Sequence, residues 1–250
     1  MSVKEKTRLH LLDALRGVMM INMIAYHGMW NLVNLFGVRV DWYAGTPKYI
    51  WQQCICWSFI LLSGFCWSLG KKKLKNALVT LGASVIITVV TAVFMKNSII
   101  LFGVLSLLGS SMLLMIPLDK LLKKLNPFVG LAVFFVLFIA TKNISDGFVG
   151  VGEKVLFDVP RELYANYLTA YLGFPFAGFY SSDYFPLIPW LFLFVCGYFL
   201  HHIFNRLKLM KCLSSFRCSP LEFLGRHSLI IYMVHQPVVY VVLFLIFTFV

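Results

Sequence analysis

The chain has 250 residues, 60% of them hydrophobic and 13% charged, with a formal net charge of +12. About a quarter of a soluble domain's residues are charged, so a water-soluble fold with an oversized core is excluded. The Lys and Arg residues stand in short clusters between apolar runs, which is the pattern of a membrane protein and not of a nucleic-acid-binding face.

Apolar runs of the length that crosses roughly 30 Å of hydrocarbon recur along the chain, and seven spans are predicted. The first covers Leu11–Leu35 and follows a basic segment, Met1–Arg8. It is full-length, lacks a small-residue cleavage pattern and carries Asp13, Arg16 and His27, so it is expected to be a retained helix and not a leader peptide. The second span covers Lys48–Leu69 and ends at Lys71-Lys72-Lys73-Leu74-Lys75. The third covers Asn76–Met95. The fourth covers Ile99–Leu118 and is followed by Asp119, Lys120, Lys123 and Lys124. The fifth covers Pro127–Thr141. The sixth covers Leu187–Phe204 and precedes Arg206, Lys208, Lys211 and Arg217. The seventh covers His227–Val250.

With the N-terminus in the cytoplasm, every short-loop Lys/Arg cluster falls on the cytoplasmic side, and Asp41, Asp146, Glu153, Asp158, Glu162 and Asp183 fall outside. Counting the apolar stretch Leu163–Tyr180 as an eighth span would put Arg206–Arg217 outside. Residues 142–185 are therefore expected to form an outer loop with an interfacial or re-entrant helix packed on protein. The expected fold is an all-α polytopic transmembrane bundle forming a single domain over residues 1–250. None of the six cysteines lies in the outer loop, so no disulfide framework is expected. Cys54-x-Cys56 lacks further ligands, so no metal site is expected either.

Ionisable side chains inside a bilayer are costly and usually face a functional cavity. In the first span Arg16 and His27 are separated by about three helical turns, which places both on nearly one face, roughly 16 Å apart along the axis. Asp13 is positioned to pair with Arg16. A guanidinium near the cytoplasmic end suits a phosphate or carboxylate. An imidazole toward the outer end suits general-base work. A juxtamembrane salt bridge and a hydrogen-bonded packing histidine explain the same residues equally well.

The last span brings Arg226, His227 and Ser228 at its cytoplasmic start and Tyr232, His235, Gln236 and Pro237 near the bilayer middle. Lining a passage and holding a polar kink are both open to this set. Asp183 precedes the sixth span at its outer end. It is placed to cap that helix or to orient His27 or an acceptor.

Five blocks in order carry a family resemblance. They are Leu12-Asp13-Ala14-Leu15-Arg16-Gly17 with His27, Leu62-Ser63-Gly64, Leu101-Phe102-Gly103-Val104-Leu105, Ser182-Asp183-Tyr184-Phe185-Pro186-Leu187-Ile188-Pro189-Trp190, and Leu224-Gly225-Arg226-His227-Ser228-Leu229 with Tyr232 and His235-Gln236-Pro237. Together they resemble the catalytic-domain family of heparan-α-glucosaminide N-acetyltransferase in a short prokaryotic form. The spacing of Arg16 and His27 also resembles the first-span motif of the acyltransferase-type-3 membrane proteins.

The resemblance implies an enzyme that takes an acetyl or other acyl group from cytoplasmic acyl-CoA, and the lack of targeting signals makes a bacterial plasma membrane the expected location. The acceptor is an amine or hydroxyl of an extracytoplasmic sugar or glycan. His27 and Asp183 are the expected catalytic pair, and Asp13, Arg16, Arg226, His227, Ser228 and His235 are expected to line the donor path. The expected partners are membrane lipids, acyl-CoA and the acceptor, and a homo-oligomer is an open arrangement. Two readings of other classes stand beside this one, a small transporter or channel with a polar path through Asp13, Arg16, His27 and His235, and a non-catalytic partner subunit.

Overall fold

The structure is a computed structural model and describes residues 9–249. The basic N-terminal segment Met1–Arg8 and the last residue of the seventh expected span, Val250, lie outside the described residues. The helices are α1 (His10–Asn34), α2 (Thr46–Trp67), α3 (Lys73–Phe94), α4 (Val104–Leu122) and α5 (Pro127–Ala140). A short hairpin follows, β1 (Phe148–Val151) and β2 (Lys154–Asp158). Then come α6 (Tyr167–Leu172), α7 (Leu187–Arg206), α8 (Cys212–Ser215), α9 (Ser219–Arg226) and α10 (Ser228–Phe249). Each predicted span coincides with one long helix to within a few residues at most ends.

Among the described residues, six helical segments are long and apolar enough to cross a membrane: α2, α3, α4, α7, α10, and α5 extended through its following turn to Asp146. The remaining long helix, α1, has 25 residues but also Asp13, Arg16, Asn22, His27 and Asn31. Its length suits a span, and its polar stripe must face protein. The protein is an integral multi-pass helical membrane protein.

The chain forms two compact units. One comprises Met1–Phe59 and Phe204–Val250, the other Ile60–Ile203. In the second unit, α2 and α7 meet through small residues. Gly64 lies against the carbonyl of Phe194, and Gly197 against the carbonyl of Leu61, so neither position has room for a Cβ. Small residues at such crossings let helix backbones approach closely, which drives association where lipid removes the hydrophobic incentive. Tyr198, fully buried on α7, donates its hydroxyl to Asp119 on α4 at 2.8 Å.

The loop between α5 and α7 holds a hairpin and one short α-helix. Phe148–Val151 and Lys154–Asp158 pair as an antiparallel hairpin closed by Gly152-Glu153, with Gly152 at φ +60° as such a tight turn requires. The α-helix of this loop, α6, has six residues and lies within the apolar stretch 163–180. Asn166 starts it with a reciprocal capping box in which its side chain accepts from the Leu168 and Thr169 amides and the Thr169 hydroxyl accepts from the Asn166 amide.

In the first unit, α1 crosses α9 so closely that a Cβ at Gly17 would strike the Leu221 carbonyl and one at Gly225 would strike the Asp13 carbonyl. Further along, α1 runs beside α10, with Gly28 facing Val239. The core of this unit is built from Met20, Met23, Tyr26, Tyr43 and Ile55, with Trp30, Trp51, Ile231 and Tyr232 packed on it.

Candidate functional site

The polar stripe of α1 meets α9 near one end and α10 further along. At the α9 end, Arg16 donates to Asp13 at 3.3 Å, and the Arg16 Cβ lies just beyond the Gly225 backbone. The pairing read from the sequence therefore forms. His10 donates its Nδ1–H to the Glu222 carboxylate at 2.8 Å. The Cys218 amide donates to the other carboxylate oxygen at 3.1 Å. The His10 hydrogen bond, then the Cys218 amide and the nearby Arg226 charge, hold the Glu222 carboxyl below the usual carboxylate range, against the opposing effect of desolvation.

The sequence reading put Arg226, His227 and Ser228 at the start of the last span and His235 near the bilayer middle, all lining one donor path. The structure divides them. Arg226 belongs to α9, a separate short helix, where its Nε donates to the Glu222 carbonyl at 3.1 Å and its side chain is exposed. This puts it at the α1–α9 crossing that Arg16 also borders. His227 is exposed and donates Nδ1–H to the Phe223 carbonyl at 2.9 Å. Ser228, half-buried, opens α10.

Only His235 reaches the first-span histidine. Its ring centroid lies 4.9 Å from that of His27, with 58° between the planes. His235 is buried, and its Nδ1 stands 2.6 Å from the Tyr232 carbonyl. A carbonyl oxygen can only accept, so Nδ1 carries the proton and Nε2 presents a lone pair. That Nε2 is buried with no hydrogen-bond partner. Leaving such an atom unsatisfied costs about 1–3 kcal/mol, a cost that a bound ligand removes.

One turn beyond His27, Asn31 is fully buried and donates to the Gln236 side chain at 3.5 Å, the outer limit of a hydrogen bond. Sequence reasoning passed over Asn31, although its i+4 spacing from His27 puts it on the same stripe. It also missed an aromatic wall beside His27. Tyr26 meets the His27 ring edge-on at 5.7 Å and Trp51 at 5.4 Å, and Trp51 donates its indole N–H to Asn22 at 3.2 Å. Tyr43 packs on Tyr26 at 5.8 Å and donates its hydroxyl to the Tyr26 carbonyl at 3.3 Å.

The Asp183 carboxylate lies over Gly103 and 3.5 Å from the Val104 amide, at the first turn of α4. The neighbouring serines brace the same joint, Ser181 through the Leu101 amide and carbonyl and Ser182 through the Ile99 carbonyl. The α7 start has the extended backbone of Ile188 before Pro189. Among the described residues, no three His, Cys, Asp or Glu side chains are gathered as metal ligands would be.

A bundle of apolar helices with a histidine pair and a guanidinium along one interior stripe defines a multi-pass membrane protein built around ionisable side chains. Its family follows from comparison with known proteins. The family model described as heparan-alpha-glucosaminide N-acetyltransferase, catalytic, matches residues 8–237, and the chain belongs to that family of membrane acetyltransferases. No curated protein and no solved structure matches the chain.

Proposed function

We propose that this protein transfers an acetyl or other acyl group from an acyl-CoA, arriving from the cytoplasm, to an amine or hydroxyl of a sugar or glycan on the far side of a bacterial plasma membrane. The observation that carries the reading is the His27–His235 pair with its buried, unpartnered Nε2. A neutral imidazole with a fixed tautomer is a general base whose lone pair is already aimed.

In this mechanism the acceptor heteroatom binds between the two imidazoles and attacks the thioester carbonyl. The histidine pair takes the acceptor's proton, His235 through Nε2, while His27 holds the heteroatom and shares the charge. The new C–N or C–O bond forms as the C–S bond breaks. The coenzyme leaves as its thiolate and is reprotonated from the pair. Arg16 and Arg226, both at the α1–α9 crossing, meet the phosphates of the donor. Asp13 holds the Arg16 guanidinium in place at 3.3 Å. Asp183 keeps the role of fastening the start of α4.

The test is release of free coenzyme A thiol from acetyl-CoA by detergent-purified protein given glucosamine. His27→Ala and His235→Ala are each expected to lower turnover by about 10²–10⁴-fold. Wild-type-like turnover in both variants overturns the assignment. Thermal protection of the protein by coenzyme A separates this reading from a transporter or a partner subunit.

A further inference from the structure

The aromatic wall does not end at Tyr43. The three-residue turn Asp41–Tyr43 places Tyr43 in the core and leaves its neighbour Trp42 outside, 55% exposed. The Trp42 indole is braced, not loose. Tyr43 meets it edge-on at 5.8 Å, and Trp51 lies against it at 5.9 Å. Both braces are themselves held by hydrogen bonds, Trp51 to Asn22 and Tyr43 to Tyr26. Rings in contact therefore run from Trp42 through Trp51 and Tyr26 to His27. Lys48 places its ammonium 5.0 Å from the Tyr43 ring, and Asp41 presents an exposed carboxylate in the same turn as Trp42.

We infer that Trp42 is the docking platform for the acceptor, a pyranose amino sugar stacked by its C–H face on the indole at the exposed edge of the ring cluster that reaches His27. The inference rests on the function proposed above and names the part of that site which chooses the acceptor. An exposed indole held on two sides has lost its side-chain freedom before any ligand arrives, so stacking on it incurs little further entropy loss. A pyranose offers a flat apolar face with polar groups at its rim, and this turn offers a flat ring beside the Asp41 carboxylate and the Lys48 ammonium. The other occupant of an exposed indole in a membrane protein is the lipid interface itself.

The experiment compares the full-length protein with Trp42→Ala and Trp42→Phe in nanodiscs. The emission difference between wild type and Trp42→Phe isolates this indole from the other tryptophans. Glucosamine is expected to protect that component from acrylamide quenching. In the acetyl-CoA assay, Trp42→Ala is expected to raise the KM for glucosamine about tenfold, the size of one aromatic contact, with the KM for acetyl-CoA unmoved and Trp42→Phe restoring most of the loss. Quenching of the Trp42 component by brominated phospholipid, with no response to glucosamine, makes the residue a lipid anchor and overturns the inference. Normal turnover with an unmoved glucosamine KM in Trp42→Ala also overturns it and leaves the proposed function standing. Absence of turnover in the wild type counts against the function itself, while the quenching measurement still reads the platform.

Discussion

His27 on α1 and His235 on α10 hold their ring centroids 4.9 Å apart, although 208 positions separate them in the chain. The pair exists because α1 lies alongside both α9 and α10. The α1–α9 crossing sets the depth of α1, and the α1–α10 contact then brings the two imidazoles level. The Tyr232 carbonyl fixes the His235 tautomer, so the atom turned free of the helix is a base and not a donor.

The proposed mechanism has the two imidazoles act on one proton, so their losses should not add. The double variant His27→Ala/His235→Ala is expected to turn over no more than a few-fold more slowly than either single variant, with coupling well above the few tenths of a kcal/mol typical of independent sites. Single-turnover rates of the four proteins in one cycle check this. Multiplicative losses would show two separate roles.

The α1–α9 crossing depends on two missing side chains. Gly17→Ala and Gly225→Ala each push a methyl into a backbone carbonyl, that of Leu221 and of Asp13 respectively. Overpacking of this kind costs roughly 1–3 kcal/mol. Each variant is expected to lower the melting temperature in detergent. A larger side chain such as Gly225→Leu is expected to abolish turnover, because the helices separate and the proposed phosphate contacts of Arg16 and Arg226 are lost.

The His10–Glu222 contact gives the crossing a pH dependence. The Glu222 carboxyl titrates below its ordinary range because His10 donates to it. Its stabilisation is therefore fully present above the unfolded carboxylate value, about 4.3, and is lost as pH falls through the lowered folded value. Hydrogen exchange in Ser219–Arg226 is expected to accelerate below that range, and Glu222→Gln is expected to remove the acid-dependent part.

Asp183 accepts from the start of α4. Asp183→Ala is expected to destabilise the protein by about 1 kcal/mol, the usual loss on removing a helix cap, while Asp183→Asn, which keeps an acceptor, retains most of the stability. Melting temperatures of the two variants check it. A loss of turnover in Asp183→Asn at full stability would return the residue to the chemistry.

Sidedness is open to a direct test. Cys212 is exposed in the basic segment between α7 and α10. With the N-terminus in the cytoplasm, a membrane-impermeant maleimide is expected to label Cys212 in inside-out vesicles and to spare it in intact cells. The reverse pattern inverts the topology.

Most of the fold was legible because a membrane span is a local property. Twenty apolar residues between charged loops must become a helix whatever lies next to them, since lipid cannot satisfy backbone polar groups. The polar stripe of α1 was legible for a related reason, as Asp13, Arg16 and His27 sit at helical spacings on one element. The hairpin at Phe148–Asp158 was harder to read. Its strands are short, β2 is exposed along its whole length, and the apolar stretch that follows drew attention toward a helix.

The sequence by itself determined the long helices and the ionisable residues they carry, because each follows from the balance of apolar and polar groups within one segment. Only the tertiary structure decided which of those residues meet. It separated Arg226 and His227 from His235, turned Asp183 toward α4 and set His235 against His27. The reason is that helix pairing depends on small residues and rotations at each crossing, Gly17 against Leu221 and Gly225 against Asp13, and no single segment specifies its partner's face.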